Sequence, residues 1–190
     1  PRDGFDLVAA DFNGDGLGDL VVQHFESDGS LDRRLTFFPG SGGGHFGPPV
    51  VTDPDASIVA IVHGDFTGDG VLDLVAVATD SGAREVVLLV GDGAGRFSGV
   101  ARVPLPFIVT AIDTADLDDD GDLDVVLTAI NPIPGRHSTI IALVSDGTGG
   151  FVVRTSDVGG WTTSDVVLGD FTGDGIPDAA MGAGGDTAGI

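Results

Sequence analysis

The sequence predicts an all-β protein made of four-stranded antiparallel blades, the architecture of a β-propeller. Three observations predict it. A nine-residue acidic string occurs four times: "DFNGDGLGD" (11–19), "DFTGDGVLD" (65–73), "DLDDDGDLD" (116–124) and "DFTGDGIPD" (170–178), at separations of 54, 51 and 54 residues. A period of about 50 residues indicates a propeller, solenoid or array. Short runs rich in Val, Ile and Leu flank each string, while helical periodicity is nowhere sustained and glycine, at 32 residues, is too frequent for long helices.

The elements of each unit follow in order. A first apolar run precedes each string: 7–10, 58–62, 109–112 and 166–168. A second follows it: 20–22, 74–78, 125–129 and 179–181. A third occupies 35–38, 85–90 and 139–144, and a Gly-rich turn then leads to Phe46, Phe97 or Phe151 and a short fourth run. Runs of four to six residues bounded by Gly and Asp read as strands. The recurrence of the three phenylalanines in register predicts core positions. The units lie at approximately 5–57, 58–108, 109–162 and 163–190, the last one partial. The whole of 1–190 reads as one propeller region of about three and a half blades and about fourteen strands. A closed propeller needs whole blades, so the expectation is a segment of a larger one, its edges covered by further blades from a longer chain or a partner. The chain opens at Pro1 rather than Met, as a processed or excised segment would.

The strings carry the chemistry. With the first Asp as position 1, oxygen-bearing side chains fall at positions 1, 3, 5 and 9, and Gly at position 6 permits a sharp turn. The carbonyl at position 7 can then point inward. The four sets are Asp11, Asn13, Asp15, Asp19 with Leu17; Asp65, Thr67, Asp69, Asp73 with Val71; Asp116, Asp118, Asp120, Asp124 with Asp122; and Asp170, Thr172, Asp174, Asp178 with Ile176. Alternate residues of a curled loop aim at one centre, and hard oxygen donors at that spacing suit Ca²⁺ better than Mg²⁺, giving about four sites. Position 12, the closing Glu of an EF-hand, is here an apolar strand residue, so Asp at position 9 takes the closing role. A lone Asp-Gly turn is an ordinary hairpin signal, but four copies with Asp at 1, 5 and 9 are not explained by turn preference. Loop three carries four carboxylates, with Asp119 beside them, against three in each of the others, and is expected to bind most tightly.

The remaining composition excludes other classes. The formal charge is −22, which argues against nucleic acid or an anionic membrane as a partner. There is no Cys, hence no disulfide or thiolate chemistry, and no apolar run long enough for membrane insertion as a helix. Lys is also absent, so "GDGAG" at 91–95 is a hairpin turn and not a phosphate loop. No catalytic constellation emerges, because nearly all the Asp pairs belong to the loops; the chain reads as a non-enzyme. His63 precedes the second loop and reads as packing. The segments 24–32 and 131–138, with His24 and His137, are candidates for a ligand surface, and Trp161 reads as blade packing before sugar stacking.

The strings "DFNGDGLGDLVV", "DFTGDGVLDLVAVA" and "DLDDDGDLDVVLTA", with "LLVGDGAGRF"-like segments after them, resemble FG-GAP/VCBS repeats over essentially the whole chain. These repeats build the calcium-bound β-propeller of integrin α chains and of many bacterial and fungal extracellular proteins, often with seven blades. The resemblance implies Ca²⁺ in the four loops and a secreted or cell-surface setting, bacterial by the Lys-free, Arg-, Gly-, Ala- and Asp-rich usage. It implies a binding, adhesion or structural module with a protein or glycan ligand. The alternative is a non-catalytic propeller portion of a carbohydrate-active enzyme such as a polysaccharide lyase.

Overall fold

A computed structural model describes residues 7–25, 31–55, 57–80, 83–131, 138–158 and 162–184. All regular elements among them are strands, and no helix long and apolar enough to cross a membrane occurs among them. The chain divides into two compact units, Pro1–Pro104 and Leu105–Ile190.

The first unit holds two blades. Blade one contains β1 (Leu7–Ala10), β2 (Asp19–Phe25) and β3 (Leu31–Phe38), then a small hairpin of β4 (Gly40–Gly42) and β5 (His45–Phe46), then β6 (Val50–Thr52). Its sheet order is β1-β2-β3-β6. Blade two is β7 (Ile58–Gly64), β8 (Asp73–Asp80), β9 (Ala83–Gly91) and β10 (Phe97–Pro104), paired in sequence order. In the second unit, blade three is β11 (Ile108–Ala115), β12 (Asp124–Ile130), β13 (Ser138–Ser145) and β14 (Phe151–Asp157). Half a blade follows, β15 (Thr162–Gly169) paired with β16 (Asp178–Gly184). All pairings are antiparallel.

The second strands β8 and β12 lie inside their blades and are buried on both faces, whereas in β2 buried and half-buried residues alternate. Val75, Ala76, Val125 and Leu127 have no exposed surface, so β8 and β12 read as continuous apolar runs rather than alternating ones. In the first unit the blades meet over an aromatic cluster. Phe12 packs edge-on against Phe37, His63 and Phe97, at ring-centroid separations of 6.5, 5.7 and 5.8 Å. His63 is therefore a packing residue, and burial pushes its imidazole pKa down. Gln23, fully buried, ties the blades further by donating from Nε2 to the Ile58 carbonyl at 2.7 Å. In the second unit the amide of Leu168 donates to Asp113 Oδ2 at 2.8 Å and links β15 to β11.

One recurrent feature was not visible in the sequence. The first strands β7, β11 and β15 each slip register at the same repeat position, within Ile58–Ala60, Val109–Ala111 and Thr163–Asp165. Such bulges bend the strand. In blades three and four the bulge residue carries a hydroxyl that donates to the second strand: Thr110 Oγ1 to the Thr128 carbonyl (3.1 Å) and Ser164 Oγ to the Gly182 carbonyl (3.4 Å).

The expectation that all three turn phenylalanines are core holds for Phe97, is partial for Phe151, and fails for Phe46. Phe97 is 4% exposed and opens β10, whereas Phe46 is 46% exposed. The cause is local. Gly47-Pro48-Pro49 follows Phe46, and proline supplies no amide to a ladder. The fourth strand of blade one therefore starts at Val50, and Phe46 is left in the extra β4–β5 hairpin, which brings the strands among the described residues to sixteen.

The turn before Phe97 makes a close approach. Gly95 has φ +80°, and a Cβ there would fall inside contact distance of the Phe37 ring. Gly95→Ala is expected to destabilise the fold by about 2–3 kcal/mol, from left-handed backbone strain plus overpacking. Urea unfolding of the variant checks this, and Gly93→Ala, whose added methyl meets only Val71 at 3.8 Å or beyond, should cost less.

Candidate metal centre

Each acidic string forms the turn between the first and second strands of its blade, in four closely similar copies. The backbone explains the glycines. Position 6 has φ of +83° (Gly16), +82° (Gly70), +94° (Gly121) and +87° (Gly175). Position 4 is left-handed as well: Gly14, Gly68 and Gly173 hold it in three loops, and Asp119 holds it in the third with φ +61°. Asp119 thus occupies a backbone site that favours glycine. Asp119→Gly is expected to stabilise the calcium-free protein by about 0.5–1 kcal/mol, measured by urea unfolding in EGTA.

The aspartates have three distinct tasks. At position 1 they gather loop amides. Asp65 accepts from Gly68 (2.8 Å), Asp69 (3.2 Å) and Gly70 (2.8 Å). Asp170 accepts from Gly173, Asp174 and Gly175, and Asp11 and Asp116 each accept from positions 5 and 6. These amides hold the Asp170 carboxyl below its usual range despite desolvation, Gly175 contributing most. At position 5, Asp15, Asp69, Asp120 and Asp174 accept the amide of position 7 at 2.8–2.9 Å. Those bonds fix the bend from which the carbonyls of Leu17, Val71, Asp122 and Ile176 project. At position 3, Asn13 accepts from Asp15 at 2.9 Å, Thr67 donates to Asp73 Oδ2 at 3.2 Å, and the Thr172 amide donates to Asp178 at 3.0 Å.

Position 9 joins the loop to the sheet. Asp19, Asp73 and Asp124 have no exposed surface. Oδ2 accepts the amide of position 2: Phe12 (2.9 Å), Phe66 (3.1 Å) and Leu117 (2.8 Å). Oδ1 accepts an amide from the far end of the third-strand segment: Gly40 (2.7 Å), Gly91 (3.0 Å) and Ser145 (2.8 Å). The sequence placed these residues around the loop centre; the structure shows that they also fasten it to the blade. Burial pushes the Asp73 carboxyl up, against the opposing amides of Gly91 and Phe66.

Loop three brings its carboxylates together most closely. Ligand oxygens of Asp116, Asp118 and Asp120 lie within 4.8 Å of one another, the one such acidic group among the described residues. Two oxygens bound to one Ca²⁺ at its usual 2.3–2.6 Å lie at most about 5 Å apart, so this set fits a single hard cation. The crowding has an electrostatic signature. Desolvation and the carboxylates of Asp120, Asp124 and Asp116 push the Asp118 carboxyl up, and desolvation with Asp120, Asp116, Asp124 and Asp146 does the same to Asp122. A divalent cation relieves that repulsion. A cleft of about 590 Å³ lies between loops three and four, lined by Asp116–Asp119 and Asp174–Pro177.

The proposed ligand-surface segments lie largely outside the described residues. His24 is in β2, and its Nε2 pairs with Thr36 Oγ1 at 2.7 Å, so it is engaged within its blade. His137, most of 24–32 and 131–138, and Trp161 fall outside the described residues.

No curated protein matches the chain. The family model for the FG-GAP-like repeat matches twice, over residues 11–76 and 65–127. Each match starts at position 1 of an acidic loop and runs through the next loop into the strand beyond it, so the matched unit is one repeat period from loop to loop together with the second loop. With more than half of its length matched, and with this loop-and-blade pattern repeated beyond the matches, the chain belongs to the FG-GAP-like repeat family.

Proposed function

We propose that the chain is a calcium-stabilised extracellular module that serves binding, adhesion or structural roles and performs no catalysis of its own. The observation that carries this reading is the cluster of Asp116, Asp118 and Asp120, set within a loop of which the chain has four copies. The chemistry of the donors supports calcium in particular. Every loop presents only carboxylate, amide, hydroxyl and carbonyl oxygens, the hard donors that Ca²⁺ takes six to eight at a time. Residues at positions 1, 3, 5 and 9 with the carbonyl at 7 would hold the ion, and it would supply charge neutralisation and cross-linking of the loop.

An extracellular setting fits this role, since FG-GAP repeats typically occur in extracellular proteins and calcium is abundant there. A protein or glycan ligand would then be recognised by loops that the calcium sites hold in place. Calorimetric titration with CaCl₂ after chelation tests the metal. About four sites are expected, loop three the tightest. Asp118→Ala should weaken the tightest site by about tenfold or more, since ligand charge sets affinity. Absence of any calcium-binding heat or bound metal would overturn the reading, and a glycan array on the calcium-loaded protein tests the ligand.

A further inference from the structure

We propose that Asn13 is a site of spontaneous deamidation, and that its aspartate product gives loop one the four-carboxylate set of loop three. The second half rests on the calcium reading above; the first does not. In the reaction the backbone nitrogen of Gly14 adds to Asn13 Cγ and a cyclic imide closes. The proton of that amide leaves with the side-chain nitrogen as ammonia. Water then opens the imide. Addition at Cγ yields aspartate, and addition at the backbone carbonyl of residue 13 yields isoaspartate. Nothing is oxidised or reduced, and water is the only co-reactant.

Asn13-Gly14 is the one Asn-Gly step in the chain, and the other asparagine, Asn131, precedes Pro132, which has no N–H to lose. The nucleophile is free. At the same loop position, the amides of Gly68 and Gly173 donate to Asp65 and Asp170 Oδ1 at 2.8 and 2.6 Å. The Gly14 amide donates to no acceptor among the described residues, and Asp11 takes the amides of Asp15 and Gly16 instead.

The electrophile is polarised. The Asp15 amide donates to Asn13 Oδ1 at 2.9 Å, and that oxygen gathers negative charge as the nitrogen adds. The same bond folds the side chain back along its own backbone, the direction that ring closure needs. There is also room. Nothing lies within 4 Å of where a Gly14 Cβ would stand, and Gly14 is exposed, so the imide is open to water.

The Asp-Gly steps at positions 5 and 6 are the contrast within the same loops. Gly16, Gly70, Gly121 and Gly175 all donate to the position 1 carboxylate, at 2.8–3.0 Å. An ionised carboxylate is moreover a poor acyl acceptor. The loops thus tie down the glycine amides that follow a carboxylate and leave loose the one that follows a carboxamide.

Position 3 is where the loops differ most: Asn13, Thr67, Asp118 and Thr172. Conversion of Asn13 to aspartate adds a ligand charge, and ligand charge raises calcium affinity. Isoaspartate lengthens the main chain by a methylene between positions 3 and 4 and takes the loop out of register, so that fraction loses the site.

The test incubates the 190-residue protein in EGTA at mildly alkaline pH and follows, by peptide mapping, the mass gained when NH₂ is replaced by OH. Residue 13 is expected to convert at a rate within about tenfold of that in a synthetic peptide of residues 11–19, with no conversion at Asn131. Gly14→Ala should slow it by about tenfold or more, because a Cβ crowds the attacking nitrogen. Calorimetry on Asn13→Asp, which isolates the aspartate product, should show one calcium site tightened by about tenfold. Asn13 still intact once the peptide has fully converted would overturn the proposal, and so would Gly14→Ala converting at the parent rate. Equal calcium affinity in Asn13→Asp and the parent would overturn its second half. Conversion in a protein that binds no calcium in either form would sink the calcium reading and leave the modification standing.

Discussion

Stripping calcium with EGTA is expected to lower the melting temperature by about 12–24 °C relative to 1 mM CaCl₂. The size follows from linkage. A site with Kd of about 10⁻⁴ M contributes roughly 1.4 kcal/mol at about 1 mM free ion, and four such sites contribute about 6 kcal/mol. For a chain of this length each kcal/mol moves the midpoint by about 2–4 °C. That total is comparable to the whole net stability of an ordinary domain. The charge makes the dependence steeper than the donors alone would. The formal charge is −22, and much of it is concentrated in four loops where carboxylates face one another. Magnesium at the same concentration should restore only a small part of the shift, because it demands a tighter octahedron and keeps its waters. Calorimetry in EGTA, Ca²⁺ and Mg²⁺ measures all three. Identical midpoints in EGTA and Ca²⁺ would remove calcium from the account of this fold.

The blades were legible in the sequence because each strand is a short apolar run punctuated by Asp and Gly, and because the pattern repeats. The bend of the turn at 65–73 is legible from Gly70, which is left-handed, and the structure adds Gly68 as a second left-handed position. What escaped the sequence depends on neighbours. Phe46, Phe97 and Phe151 look equivalent in a line of letters, but two prolines after Phe46 delay the next strand and turn the ring outward. The bulges at Val59, Thr110 and Ser164 share no residue type, so no letter marks them; the geometry of a bent first strand does. Asp119 looked like one more charge at the metal loop, yet its backbone holds the position that glycine fills in the sister loops. The three tasks of the aspartates were also hidden. Positions 1, 5 and 9 carry the same residue, and only the hydrogen bonds distinguish the amide-gathering, bend-fixing and sheet-fastening carboxylates.

That division of labour yields the second large effect, in Asp73→Ala. The side chain is fully buried and accepts from the amides of Phe66 (3.1 Å) and Gly91 (3.0 Å) and from Thr67 Oγ1 (3.2 Å). Truncation leaves two amides without their acceptor at the junction of β8, β9 and the loop. At about 1–3 kcal/mol for each unsatisfied group, the expected loss is about 2–6 kcal/mol. The loss should persist in EGTA, because it arises from the sheet and not from the ion. Asp69→Ala is the contrast. Asp69 is exposed and accepts one amide, that of Val71 at 2.8 Å, so its removal should weaken calcium binding and cost about 1 kcal/mol or less in EGTA. Asp178→Ala should fall between them, since Asp178 is only half-buried and, among the described residues, accepts the amides of Phe171 and Thr172. Urea unfolding of the three variants, each with and without calcium, separates the roles. If Asp73→Ala were harmless in EGTA and costly only in calcium, position 9 would be a ligand and nothing more, and the blade would owe its third-strand junction to the apolar pairing of β8 with β9.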